Sequence, residues 1–456
     1  MRVSGVRTLV VGLARSGLAA IELLREKGAI VTATDQRPLE KLGDAAARLA
    51  ATETPFVGQD PEVFHGHELI VISPGVPADL PELDAARRRG VRIVGEIELA
   101  GWHLEGRTIG ITGSNGKTTT TALAGHILRH AGIQAQVGGN IGWTAAAAMV
   151  RTSRPEQWNV LELSSFQLET IERFRAHIGV ALNVTPDHLD RHHTIEAYIA
   201  AKGRLFETQQ PDDWAVLNAD DAACVQFAAL TPGRALWFSL TRPVTPGLWL
   251  EGGRVMFDQR LLMTAAEVPL RGRHNLDNVM AAAAAARLAG AQLEAIADAV
   301  RTFAGVEHRL EAVRRVGGVE FVNDSKATNP DAALKALDAF PGRLWVILGG
   351  KDKDGDYTPL RKPLESKARA ALLIGAAAAK IAGQIAGSTR IIPCGTLEAA
   401  VLTAWRDAEP GDTVLLAPAC ASFDQFENFE HRGRVFKELA AGLPEKKSAD
   451  KEDSAQ

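Results

Sequence analysis

An α/β fold of three units, each a largely parallel sheet with helices packed on it, is what this sequence predicts. Three observations predict it. Short β-like apolar runs alternate with helix-like runs along most of the chain. Glycine-rich or polar clusters follow the ends of those runs, as expected where ligands collect at the carboxyl ends of parallel strands. The 456 residues are enough for about three domains, each able to bury its own core.

The first block, residues 1–95, has β-like runs at 8–11, 30–34, 69–72 and 92–94. Its first turn, GLARSG at 12–17, and Asp35 at the end of the second run resemble a dinucleotide-binding layout. Ala14 stands where the second glycine of that fingerprint belongs, which argues against a full pyrophosphate approach and against a redox cofactor. Residues 8–24 are apolar, but Arg15 and Glu22 interrupt them, and Gly12 and Gly17 mark a strand-turn-helix rather than a signal peptide.

The second block, 96–305, opens on the run 108–111 followed by TGSNGKT at 112–118. Gly113 and Gly116 let backbone amides turn toward an anion. Lys117 adds a point charge, and the Thr118 hydroxyl suits Mg²⁺ at the positive end of a helix. The spacing departs from the common phosphate loop, because Ile111 stands where its first glycine belongs and Gly110 sits one place too early. ELSSFQLE after Val160 and NVTPDHLDRH after Val180 place Glu162 and His188 at two further strand ends, near the phosphates. The run 281–286 reads as part of an amphipathic helix ending near Gly290.

Within this block, residues 194–207 read as a helix capped by Thr194, with Ile195, Ile199 and Phe206 on one stripe. Lys202 falls on that stripe while Arg204 points elsewhere. Two readings stand: the lysine snorkels to solvent, or it is desolvated, neutral and nucleophilic enough to form a carbamate with CO₂.

The third block, 306–444, repeats the alternation with runs at 319–322, 344–348, 371–374 and 414–417. Polar clusters follow: NDSKATN at 323–329, GGKDKDGD at 349–356 and PACASFDQFENF at 418–429, which suggest one binding face. Residues 445–456 are a polar tail that predicts disorder. Apolar residues are 46%, charged residues 23% and the net charge is −4, which gives no reason to expect nucleic acid as a partner. Cys224, Cys394 and Cys420 show no disulfide or zinc spacing, no stretch reads as a membrane span, and a cytoplasmic setting fits.

TGSNGKT, ELSSFQLE, GGNIG around Asn140, TPDHLDRH, AAKGRLFE, RHNLDN and VEHRLE together resemble the Mur ligases, ATP-dependent amide-forming enzymes of peptidoglycan precursor synthesis. SPGVP, NDSKATN, GGKDK and PACASFDQFENFEHRG resemble most the branch that adds D-glutamate to UDP-N-acetylmuramoyl-L-alanine. The resemblance implies a Rossmann-like domain for the UDP substrate, a central P-loop-type ATPase domain and a Rossmann-like domain that brings glutamate. It also implies ATP, two Mg²⁺ sites and an acyl-phosphate intermediate.

By that resemblance Gly113, Ser114, Asn115, Gly116, Lys117, Thr118 and Thr119 hold ATP phosphates, and Asn278, Arg309 and Asp324 contact adenine, phosphate and ribose. Lys117, Glu162, His188 and Lys202 are catalytic. Thr118 and Glu162 serve the first metal; His188 and a carbamoylated Lys202 serve the second. Ser16, Asp35, Arg37, Ser73 and Gly75 grip the uridine diphosphate, with Arg15 and Gln36 the loosest matches, and Asn140 contacts the muramoyl-alanine part. Glutamate falls to Lys326, Thr328, Lys353, Ser422, Phe423 and Phe429, with Lys351 a rival to Lys353. A monomer is expected. A same-fold ligase that adds L-glutamate, a folylpolyglutamate-synthetase-like ligase and a regulatory phosphate-loop protein are the alternatives. The N-terminal block ahead of the phosphate loop argues against the second, and a joint role for Glu162, His188 and Lys202 argues against the third.

Overall fold

The computed structural model describes residues 2–58, 61–140 and 144–445, and the chain divides into two compact units. One unit runs to Pro269 and includes Leu276–Phe303; the other takes Leu270–Asn275 and the chain from Ala304. The expected tail beyond residue 445 and the Ile141–Gly142 part of GGNIG lie outside the described residues.

The first unit carries two sheets. Strands β1 (Arg7–Val11), β2 (Ile30–Thr34), β3 (Leu69–Ile72) and β4 (Arg92–Gly95) form an all-parallel sheet in the order β2-β1-β3-β4. Chain order reverses at β1, so the turns after β1 and β3 face each other across the crevice where such sheets bind ligands. Every expected run of this block is a strand, because each is an apolar, β-branched stretch closed by glycine or a polar turn.

The second sheet holds β5 (Arg107–Thr112), β6 (Ala135–Gly139), β7 (Trp158–Glu162), β8 (Ile178–Ala181), β9 (Trp214–Asn218), β10 (Arg234–Ser239), β11 (Gly247–Glu251), β12 (Arg254–Phe257) and β13 (Arg260–Thr264). Their order is β13-β12-β11-β10-β9-β8-β5-β7-β6, parallel from β6 to β11 and antiparallel across β11-β12-β13. β5 lies between β7 and β8, so the loops after all three share one end of the sheet. One continuous apolar cluster spans both sheets and takes in the Glu96–Gly101 helix: Ile97 and Leu99 belong to it together with Leu24 and Val31 of the first block and Phe174 and Leu205 of the second.

The second unit has β14 (Glu311–Val316), β15 (Val319–Asn323), β16 (Leu344–Gly349), β17 (Ala368–Ile374), β18 (Arg390–Gly395) and β19 (Thr413–Leu416). Their order is β14-β15-β19-β16-β17-β18, parallel except for β14 against β15.

Two expectations are corrected. The His274–Leu288 helix is not amphipathic over its alanine run: Val279 to Ala286 are all buried. Small methyl side chains let neighbouring elements close on every side. On the Ile195–Glu207 helix the buried stripe centres on Tyr198, Ala201, Lys202 and Leu205, and Ile195 and Ile199 lie only at its half-buried margin.

Candidate functional site

In the first unit the phosphate loop is strapped to the loop that follows β8. Ser114 N donates to Asn183 O (2.8 Å), and Asn115 N donates to Asn183 Oδ1 (2.9 Å) while its carbonyl accepts from Asn183 Nδ2 (3.1 Å). Ser114 Oγ lies 2.9 Å from Thr185 O and 3.2 Å from the Tyr198 hydroxyl. Gly116 then turns the chain into the Lys117–His130 helix at φ 87°, a left-handed conformation that favours glycine, and a Cβ there would overlap Asn278 Oδ1. Asn278 is thereby seated against the loop, where it also accepts from Thr120 Oγ1 at 3.3 Å.

Two lysines converge on one carbonyl of this loop. Lys117 Nζ donates to Gly113 O (2.8 Å) and Ser114 O (2.9 Å), and Lys202 Nζ donates to the same Gly113 O (2.9 Å). Lys202 is 1% exposed, which overturns the snorkelling reading: its stem runs inward beside the Tyr198 ring, whose centroid is 4.3 Å from Nζ. Burial first, and the Lys117 charge second, hold its pKa well below the usual lysine range; Asp187 opposes them. Thr112 Oγ1 and Thr119 Oγ1 are buried here without a hydrogen-bond partner among the described residues, orphaned polar atoms of a kind that a ligand satisfies.

Glu162 ends β7 and is buried. Its Oε1 accepts from Asn140 Nδ2 at 3.1 Å, and its carbonyl accepts from Asn140 N at 2.8 Å, so the two residues meet. His188 has φ 55° at the start of the Leu189–His192 helix, with its ring edge-on to Phe166 at 4.9 Å. Phe166 belongs to the Ser165–Leu168 helix just after Glu162.

At the crevice of the first sheet, Ser73 Oγ donates to Gly12 O (2.7 Å), and a Cβ on Gly17 would overlap that same carbonyl, so the first helix packs directly on the turn. Asp35 Oδ2 accepts from Leu13 N (2.7 Å), and Oδ1 accepts from Arg37 N and Nε (both 2.9 Å). Burial works to raise the Asp35 carboxyl, but the Arg37 guanidinium and these amides hold it below the usual range. Ser16 is half-buried; Arg15 and Gly75 are exposed.

In the second unit the three polar clusters follow β15, β19 and β16, which are adjacent. The sheet therefore sets them side by side. Ala419 N donates to Ala327 O (2.9 Å) and Lys351 N to Ala421 O (2.8 Å). Arg432, fully buried, ties them together through Ser325 Oγ (3.0 Å), Ser325 O (2.8 Å) and Cys420 O (3.2 Å). Lys326 Nζ sits 5.3 Å from the Phe429 centroid, Thr328 is half-buried, Ser422 is buried and Phe423 is 65% exposed. Asp352 is held by Lys380 Nζ (2.6 Å) and the Tyr357 hydroxyl (2.7 Å), which fixes the loop between Lys351 and Lys353 while both lysines stay exposed. Burial pushes the Asp324 carboxyl up to about 6 against the pull of Arg309, and Asp324 Oδ1 accepts from Leu310 N at 3.2 Å.

Sequence reasoning missed Asn183, Tyr198 and Arg432. Tyr198 could have been found, since it lies four residues before Lys202 on the same helix face. Asn183 and Arg432 stand inside recognised motifs, but their roles depend on partners far away in the chain.

Family models match three stretches of the chain: "Mur ligase MurD-like, N-terminal domain" over residues 6–95, "Mur ligase middle domain" over 111–286, and "Mur ligase, glutamate ligase domain" over 308–420. The UDP-N-acetylmuramoylalanine--D-glutamate ligase of Solibacter usitatus is 61% identical over 446 residues, 98% of this chain and 100% of that one. The enzyme of the same name from Acidobacterium capsulatum is 52% identical, with 96% and 97% covered. Among solved structures, a UDP-N-acetylmuramate-alanine ligase from Thermotoga maritima superposes with a TM-score of 0.62 at 18% identity over 96% of this chain and 99% of that one. A pseudomurein peptide ligase type C from Methanothermus fervidus gives 0.61 at 20%, with the same coverage. These two likenesses speak for the fold.

Proposed function

The chain belongs to the Mur ligase family, and from that premise we propose that it is the ATP-dependent ligase that joins D-glutamate to UDP-N-acetylmuramoyl-L-alanine in peptidoglycan precursor synthesis. The observation that carries the reading is the full-length 61% identity to a ligase of that name. The strapped phosphate loop, with Lys117 and Lys202 on one carbonyl, supports the ATP chemistry.

A carboxylate is a poor electrophile until one of its oxygens becomes part of a phosphate leaving group. ATP therefore phosphorylates the alanine carboxylate, the glutamate amine attacks the acyl phosphate, and the tetrahedral adduct collapses to amide and phosphate. Lys117 is the countercharge for the phosphoryl group in transfer. The Gly113 and Ser114 carbonyls it donates to are neutral acceptors, which a phosphate oxygen outcompetes because charge-assisted bonds are about twice as strong. Gly113, Ser114, Asn115, Gly116, Thr118 and Thr119 line the phosphates, and Asn278, Arg309 and Asp324 serve adenine, phosphate and ribose.

The donor set fits Mg²⁺: the Thr118 hydroxyl and the buried Glu162 carboxylate, both hard oxygen donors, would hold one ion, and His188 with a carbamate on Lys202 would hold a second. Mg²⁺ supplies charge neutralisation for the phosphoryl oxygens when bound. Burial disfavours the charged form of Lys202 and so works toward the neutral amine that a reaction with CO₂ requires. Ser16, Asp35, Arg37, Ser73 and Gly75 take the uridine diphosphate and Asn140 the muramoyl-alanine part. Lys326, Thr328, Lys353, Ser422, Phe423 and Phe429 take glutamate, whose two carboxylates call for cations and hydroxyls.

The division into a UDP domain (1–95), an ATPase domain (96–305) and a glutamate domain (306–444) is supported by family matches over 6–95, 111–286 and 308–420. No helix among the described residues is long and apolar enough to cross a membrane, and a cytoplasmic monomer is part of the proposal. The test is phosphate release from ATP with UDP-N-acetylmuramoyl-L-alanine and either D- or L-glutamate, omitting each component in turn. Release that needs all three and only the D isomer is expected. Dependence on the L isomer, or indifference to the UDP substrate, refutes it.

A further inference from the structure

One connected set of side chains in the first unit is left unused by the chemistry above. Arg191 Nη2 donates to Val76 O at 3.0 Å and to Glu169 Oε2 at 3.0 Å. The other carboxylate oxygen of Glu169 lies 3.2 Å from His192 Nδ1, and His192 Nε2 lies 2.9 Å from Ser165 Oγ. Phe166 fills the middle: the Arg191 guanidinium is 5.0 Å from its ring centroid, the His192 ring is stacked at 5.4 Å and the His188 ring is edge-on at 4.9 Å. The seam between the loop that follows β3 and the Ser165–Leu168 helix, lined by Ser73, Val76, Phe166 and Thr170, has no space for a water molecule. Beside that seam the link is direct and mostly shielded, with the Arg191 and Glu169 side chains only 15% and 20% exposed, which strengthens a charge-assisted hydrogen bond relative to one in open solvent.

Arg191 thus joins two parts of the proposed site. Val76 is next to Gly75 and three residues from Ser73, and a bond from Val76 N to Ser73 O (2.9 Å) closes that stretch into one turn. At the other end, Arg191 lies three residues after His188 on one short helix. Glu169 supplies the countercharge, and His192, braced by Ser165, keeps Glu169 facing it.

We propose that Arg191 is a positioning residue that pins the Ser73–Val76 loop to the helix opened by His188, so that the UDP-substrate loop is held in register with the ATPase core. The inference rests on the ligase reading above. Arg191 touches no reacting atom in this scheme. Its loss loosens the loop and leaves the phosphate loop and the glutamate cluster unchanged.

The test is calorimetric binding of UDP-N-acetylmuramoyl-L-alanine, without ATP, to the full chain and to Arg191→Ala, alongside the affinity for a non-hydrolysable ATP analogue. Arg191→Ala is expected to raise the Kd of the UDP substrate about tenfold, the effect of one lost charge-assisted bond, and to leave the Kd of the ATP analogue unchanged. Arg191→Lys, which keeps the charge but has a shorter reach and no planar guanidinium to lie over Phe166, is expected to fall between parent and Arg191→Ala, and it carries the test if the alanine variant does not fold. Parent-like UDP-substrate affinity in both variants overturns the inference alone, as does an equal loss of both ligands. A parent that binds no UDP-N-acetylmuramoyl-L-alanine overturns the ligase reading and this inference with it.

Discussion

Glu96 offers a measurable consequence of the shared core. It starts the Glu96–Gly101 helix and is 1% exposed; its Oε1 accepts from Ala147 N at 2.6 Å, and its Oε2 has no hydrogen-bond partner among the described residues. Burial pushes its carboxyl from an ordinary 4.5 up to about 7, with the Ala147 amide opposing only in part. A carboxyl raised by folding binds its proton more tightly in the folded than in the unfolded chain. Its contribution to stability is therefore fully present below about pH 4.5 and is lost as pH rises through about 7. The difference between the two values corresponds to about 3 kcal/mol. Glu96→Gln mimics the protonated carboxyl and cannot ionise. Urea unfolding of parent and variant should give matching stabilities at about pH 4.5 and a gap of about 3 kcal/mol in favour of the variant at about pH 8. A gap that does not change with pH would refute the claim that this carboxyl is buried at a cost.

Three further outcomes are expected at the phosphate loop. Lys117→Ala should lose on the order of 10³ or more in kcat, read as phosphate release, because the phosphoryl group loses its main countercharge. Lys202→Ala should be inactive and regain part of its activity in added acetate, a small carboxylate standing in for the carbamate; parent-level activity without additive would return the lysine to a packing role. Gly116→Ala should cost about 1–2 kcal/mol for the left-handed backbone and about 1 kcal/mol more for the displaced Thr120–Asn278 bond. Its melting temperature should fall and its KM for ATP rise at least tenfold, and an unchanged KM would show that Asn278 does not set the nucleotide pocket.

The strands of the first block were legible because each is a β-branched run closed by glycine or a polar turn, a pattern written locally. The alanine helix was misread because a run of alanines carries no polar face to mark its surroundings, and the neighbours that bury it come from elsewhere in the chain. The same distinction divides the site. Gly113, Gly116, Lys117 and Thr118 announce themselves within seven residues. Arg432 does not, because the Ser325 it holds is 107 positions away, and neither does Asn183, whose partner Asn115 is 68 positions away. Such residues carry no spacing signal, and only the sheet order makes them neighbours. Lys202 stands between the two cases: periodicity put it on an inward stripe, but whether the amine reached solvent depended on the length of stem against the depth of burial, which periodicity does not contain.

The shared Gly113 carbonyl shows how the same side chain acquires two chemistries. Lys117 and Lys202 bond it at 2.8 and 2.9 Å, so the acceptor does not distinguish them. Their surroundings do. Lys117 opens a helix at the half-buried mouth of the loop and has a second carbonyl as partner, and both suit a lysine that keeps its charge. Lys202 comes from beneath, fully buried, with an aromatic ring and the Lys117 charge beside it, and that charge adds to the burial in disfavouring its protonated form. A neutral amine still donates one N–H to the carbonyl and retains a lone pair. The cation near the surface thus adds to burial in disfavouring a charge on the buried lysine, and replacing Lys117 removes that contribution.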